Sequence, residues 1–120
     1  VLIDSWKKYQ HWINEPFDIH ILEKPPKPTT WVFRASAHVP TYLQKDGLIA
    51  IRQVTYLPTL ELLRDLDEPL VSTSANHTGE PTPSQVEELE KLFNYPIMIG
   101  TPGSKPPSSI IVYSTQEVLR

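Results

Sequence analysis

The apolar positions switch repeatedly between two periods. Val1–Ile3 reads as the end of a strand. Trp6, Tyr9 and Ile13 then recur at helical spacing behind Asp4 or Ser5, either of which can cap a helix running through Ile13. Phe17, Ile19 and Ile21 alternate like a strand, while Phe17, Ile21 and Leu22 share a helical face. A short helix over 17–23 is favoured, and it must stop before Pro25. Thr29–Arg34 is rich in β-branched and aromatic residues and predicts a strand. Gly47–Val54 predicts another, with Leu48, Ala50 and Arg52 facing opposite to Ile49 and Ile51.

Pro58 suits the first turn of a helix whose apolar face is Leu60, Leu62, Leu63 and Leu66. Pro69–Thr73 predicts a strand that opens into the polar loop Ser74–Pro83. Ser84-Gln85-Val86-Glu87 has the form of a capping box, starting a helix to about Asn94 that packs Val86, Leu89, Leu92 and Phe93. Pro96–Ile99 and Ser109–Tyr113 predict strands, and Glu117–Arg120 a last short one. The order predicts an α/β domain on a mixed sheet with flanking helices.

Composition narrows the class. The 120 residues suit one domain, and 39% hydrophobic with 21% charged residues is ordinary for a soluble globular chain. The net charge of −3 argues against a general nucleic-acid binder; Lys24, Lys27 and Arg34 form at most a solvated basic loop. With no cysteine, thiolate catalysis, disulfides and Cys-based zinc sites are excluded. No apolar run approaches a membrane span and no signal peptide opens the chain, so the expected location is cytoplasmic. The start at Val1, without Met and in mid-strand, suggests a chain cut from a longer one. The thirteen prolines cluster at 25–28, 81–83 and 102–107 and mark connections.

Candidate chemistry concentrates in Leu70–Pro81, where an apolar strand opens into Ser72, Thr73, Ser74, Asn76 and Thr78. Short oxygen-bearing side chains at a strand end let backbone amides approach a phosphate or carboxylate; the same residues also build a plain Ser/Thr/Asn turn. Arg52 sits in the apolar strand Leu48–Arg52. It suits a two-pronged grip on a ligand carboxylate, an internal salt bridge, or a solvated strand end. Ser108-Ser109 repeats the hydroxyl theme behind Pro106-Pro107. Asn76-His77-Thr78 matches a glycosylation acceptor by chance composition. The four histidines have no metal-ligand spacing, and no metal site is expected. Neither a Gly-rich phosphate loop nor a Gly-x-Ser-x-Gly elbow is present.

The run PLVSTSANHTGEPTPS closely resembles the SxN motif of the YrdC/TsaC family. PTTWVF at 28–33 is similar to the end of the family's WPGP-x-T strand, LIAIR at 48–52 to its VAVR strand, and PPSSIIVYS at 106–114 to its PSTVVD strand, with VLR closing the chain. The resemblance covers essentially all 120 residues. It implies a YrdC-like twisted mixed sheet, parallel and antiparallel, with residues 1–120 as the C-terminal part of one such domain and the N-terminal part with its KxR motif absent. It also implies a nucleotidyltransferase that forms threonylcarbamoyl-adenylate from L-threonine, bicarbonate and ATP with Mg²⁺. That product serves N6-threonylcarbamoyladenosine at tRNA position 37, with tRNA and the proteins of threonylcarbamoyl transfer as partners.

By the same resemblance, Ser74 and Asn76 match the catalytic pair. Arg52, Ser72 and Ser108 match threonine-binding positions, and Thr30, Ser74, Thr82 and Arg120 nucleotide-binding ones. Two departures stand out: Pro25-Pro26-Lys27-Pro28 replaces Trp-Pro-Gly-Pro, and Val54 stands where many members have proline. Two other function classes remain, a nucleotide- or RNA-binding module without turnover and a carbamoyl-transferring domain of a larger maturation protein. The KxR segment would supply much of the positive charge, and its absence would leave sheet uncovered. The 120 residues alone are therefore expected to bind ATP poorly and to turn nothing over. Isothermal titration with ATP and threonine checks this, and micromolar binding would refute it.

Overall fold

The computed structural model describes residues 1–98, 100 and 103–120. The chain divides into two compact units, Val1–Val71 with Pro107–Arg120, and Ser72–Pro106.

The first unit holds a four-stranded mixed sheet. Its strands are β1 (Leu2–Ile3), β2 (Thr29–Arg34), β3 (Leu48–Gln53) and β4 (Ser109–Val112), in the order β1-β3-β2-β4. β2 and β3 are antiparallel, pairing Trp31 with Ile51, Val32 with Ala50, Phe33 with Ile49 and Arg34 with Leu48. β1 lies parallel to β3, and β4 parallel to β2. Side chains alternate across the pleat, so this register sends Trp31, Phe33, Ile49 and Ile51 to one face, where all four are buried. Arg52, Ala50 and Thr30 go to the other.

The buried face is closed by aromatic side chains. α1 (Trp6–Tyr9) runs into a 3₁₀ turn at Gln10–Trp12. The predicted helix to Ile13 is thus split. Trp6, Tyr9 and Trp12 are all buried, and their three-residue spacing is the period of a 3₁₀ helix, whereas Ile13 is extended and bridges Ala35. The Trp6 indole N–H donates to Leu22 O (3.1 Å), and its ring meets Phe33 edge-on at 5.8 Å.

The ambiguous segment resolves as α2 (Ile19–Glu23). Its N-cap is Asp18, whose carboxylate accepts from His20 N at 2.9 Å. The Asp18 N–H donates to Tyr113 Oη at 2.8 Å, which ties the cap to the residue following β4.

α3 (Leu57–Leu66) carries Pro58 in its first turn. Of its expected apolar face, only Leu63 is fully buried, while Leu62 and Leu66 are exposed. The predicted strand 69–73 reduces to one bridge, Leu70 with Leu2, because Pro69 lacks an N–H to donate and Ser72 already belongs to the second unit. The final predicted strand reduces likewise to the bridge between Val118 and Ile111.

In the second unit α4 spans Val86–Leu92. The capping box does not form. Gln85 takes the N-cap position, so Ser84 and Glu87 each fall one residue out of the frame that box requires. The helix ends two residues before Asn94, and none of its residues is fully buried. Pro96–Met98 is irregular, and Ile99 of that predicted strand lies outside the described residues. No helix of the described residues is long and apolar enough to cross a membrane.

Phe33 sits fully buried at the centre of this packing, with Trp6, Phe17 and Tyr113 against its ring. Phe33→Ala should cost about 3–5 kcal/mol of stability, read as a lowered denaturant midpoint in urea titration.

Candidate functional site

In the first unit the register places chemistry on the face opposite the aromatic core. Val32 pairs with Ala50, so the next residues of the same alternation, Thr30 and Arg52, stand on that side of adjoining strands. Thr30 pairs with Ile110 in β4, and the Thr30 and Ser108 hydroxyls lie 3.2 Å apart. Ser108 is buried, and its carbonyl accepts from Arg120 Nε at 3.2 Å. The return of the chain after β4 sets this contact: Ile110 N donates to Arg120 O (2.8 Å) and Leu119 N to Ile110 O (2.8 Å). Thr30, Ser108 and Arg120 are therefore brought into one connected group, with Arg52 on the same sheet face.

Arg52 is half-buried, and its backbone N–H donates to Val1 O at 2.9 Å, part of the β1–β3 ladder. Both ion pairs among the described residues use Lys8, with Asp4 and Asp67, so the Arg52 guanidinium has no carboxylate partner there. The Asp67 contact raises the Lys8 pKa above its ordinary value, chiefly through the hydrogen bond. Burial raises the Tyr9 hydroxyl likewise. Neither group belongs to the candidate site.

The second unit carries Ser72, Ser74, Asn76 and Thr82. Ser72 and Ser74 are exposed. Asn76 is half-buried and bonded within its own loop. Its Nδ2 donates to His77 O and to Glu80 O, both at 2.9 Å, and its Oδ1 accepts from Thr82 Oγ1 at 3.1 Å. His77 stacks obliquely on Phe93, ring centroids 5.5 Å apart, which seats the loop on the residue after α4. Thr82 also lines an open groove with Ser84, Glu88, Lys91 and Leu92, flanked by Pro81 and Pro83. Lys91 is a cation lining the same groove as Thr82 that the sequence reading missed; a lone exposed lysine on a helix gives no signal by itself.

A second feature missed from sequence is the approach of His11 and His38, whose ring centroids are 5.6 Å apart although the residues are 27 positions apart. Ser36 holds the two backbones together, donating to His11 O (2.7 Å) and accepting from His38 N (3.2 Å). Among the described residues, no three His, Asp or Glu side chains gather as metal ligands.

The environment of Arg52 yields a direct expectation. Because no carboxylate pairs with its guanidinium among the described residues, Arg52→Ala should change stability by less than about 1 kcal/mol. Urea denaturation checks this. A loss of several kcal/mol would mean that the guanidinium serves folding through an internal ion pair.

Comparison with known proteins agrees with these motifs. The Sua5/YciO/YrdC family model, described as telomere recombination, matches residues 1–120. The threonylcarbamoyl-AMP synthase of Klebsiella pneumoniae is 35% identical over 99 residues, covering 79% of this chain and 52% of that protein. The threonylcarbamoyl-AMP synthases of Thiobacillus denitrificans and Shigella boydii are 32% identical over 99 residues and 34% over 104, covering 53% and 55% of their lengths. The chain thus spans about half the length of the curated relatives it matches. With the family model matched along the whole chain, and with a mixed α/β sheet under the motifs, the protein belongs to the Sua5/YciO/YrdC family.

Proposed function

We propose that the protein containing this chain is an L-threonylcarbamoyladenylate synthase. The threonine amine attacks the carbon of bicarbonate, a C–O bond breaks as water leaves, and the N-carboxylated threonine, a carbamate, forms with a free carboxylate. That carboxylate attacks the α-phosphate of ATP, the bond to the leaving pyrophosphate breaks, and threonylcarbamoyl-AMP is released. The product supplies the N6-threonylcarbamoyl group of adenosine 37 in tRNA, and the tRNA-modifying proteins that consume it are its partners. MgATP is the substrate form; the residues assigned here are neutral oxygen donors and guanidinium groups, which suit its phosphates rather than a resident metal.

The observation that carries this reading is the Arg52 guanidinium. It is half-buried, without a carboxylate among the described residues, on the sheet face that also holds Thr30 and Ser108. Arg52 and Ser108 of the first unit take the threonine, with the guanidinium on its carboxylate; Ser72 is assigned to it by motif resemblance alone. Thr30 and Arg120 of the first unit serve the nucleotide; Thr82 is assigned to it by motif resemblance alone. Ser74 offers its exposed hydroxyl to the reacting phosphate and carbamate, and Asn76 belongs to the same end. Such groups act by placing fixed dipoles and charge where the transition state becomes anionic.

Pyrophosphate release by the full-length protein, with and without threonine, tests the activity; release must require threonine and bicarbonate. A binding module without turnover would release none. In the active protein, Arg52→Ala should raise KM for threonine about 10- to 100-fold, the range for losing one charge-assisted hydrogen bond, with KM for ATP changed much less. Equal losses for both substrates would place Arg52 elsewhere.

A further inference from the structure

We infer that Asn76 is a positioning residue, which holds the polar loop in one shape for Ser74 instead of touching the substrate itself. The inference rests on the synthase reading for the reaction it serves, and on loop geometry for the rest. Two carbonyl oxygens, of His77 and Glu80, face one end of the Asn76 amide at 2.9 Å. A carbonyl can only accept, so that end is the NH₂, and both of its protons are used. The other end then presents Oδ1, which faces the Thr82 hydroxyl at 3.1 Å. The amide has no donor left to offer a phosphate.

The bonds enclose a tight turn. Glu80 N donates to His77 O at 3.0 Å, and Gly79 has φ +84°, the left-handed conformation favoured for glycine at the third position of such a turn. His77 O and Glu80 O are thus fixed together from the Asn76 side chain, and Thr82 fixes the amide from beyond the turn. Burial agrees. From Val71 to Thr82 every residue is exposed, Ser72 and Ser74 included, except Asn76, which is half-buried. Thr82 accordingly acts through Asn76 as well as lining its groove.

The test uses the full-length protein with two readouts. Backbone ¹⁵N order parameters of residues 77–80 report the loop, and kcat/KM for pyrophosphate release reports the reaction. Asn76→Ala and Thr82→Val should each lower the order parameters from the rigid range near 0.85 to below about 0.6. Each should lower kcat/KM, and in the order parameters the double variant should be no worse than the more damaging single one, because both remove the same constraint on the loop. Thr82→Ser keeps the hydroxyl and should restore both readouts.

The inference is overturned if the loop stays ordered in Asn76→Ala while kcat/KM collapses, since Asn76 would then act by direct contact. It is also overturned if order is lost with kcat/KM intact, or if the two substitutions add in their effect on loop order. Should the wild-type protein release no pyrophosphate, the synthase reading fails alone, and the order parameters still decide whether Asn76 and Thr82 hold the loop.

Discussion

The antiparallel pairing of β2 with β3 governs the first unit. Trp31 opposite Ile51 and Phe33 opposite Ile49 commit one face of the sheet to an aromatic core. Because side chains alternate strictly, the same pairing commits Thr30 and Arg52 to the other face. A slip of one residue in β3 would drive the Arg52 guanidinium into the packing of Trp6 and Phe33, and would expose Ile49 and Ile51, which are now buried. Core stability and the presentation of Arg52 therefore follow from one register. The parallel addition of β4 extends the arrangement by aligning Thr29 with Ser109, which brings Ser108 to Thr30.

The parts readable from sequence were those in which periodicity and burial coincide. Thr29–Arg34 is a strand throughout, and Leu48–Gln53 shows the alternation expected of it, with Ile49 and Ile51 buried and Leu48 and Ala50 exposed. Phe17–Glu23 was balanced between two periods, and the Asp18 cap decides for the helix. Errors fell where one residue shifts a frame or where tertiary pairing is needed. Ser84 and Glu87 have capping-box spacing, yet Gln85 takes the cap. Residues 69–73 have strand composition but find a partner only at Leu70. The leucines of α3 have helical spacing, yet only Leu63 finds complete cover.

The candidate site divides in the same way. Arg52 was conspicuous because a guanidinium in an apolar strand needs a reason, and its place in the alternation gave its face. Ser74 and Asn76 stood out as short polar side chains at a strand end, but their roles entered only through resemblance to a motif, and spacing alone could not separate them. That separation lies in which atoms are already hydrogen-bonded. The approach of His11 to His38, and the groove that Lys91 and Thr82 both line, were invisible for a related reason: neither rests on a period, and each depends on where a loop or helix turns in space.

A loop that supplies hydroxyls to an anion faces a conflict. Exposed serines and threonines readily bond their own backbone and then have nothing to offer. The segment after Val71 avoids this by assigning the tasks to different residues. The planar amide of Asn76 spans two carbonyls, and its oxygen takes the Thr82 hydroxyl. A serine in its place could donate only one proton and could not bridge His77 and Glu80. With the backbone satisfied from one side, Ser72 and Ser74 remain exposed, available to the phosphate or carbamate of the proposed reaction. The asparagine amide is the smallest side chain that can make all three bonds at once, which gives a physical reason for an amide two residues after the serine, independent of any direct contact with substrate.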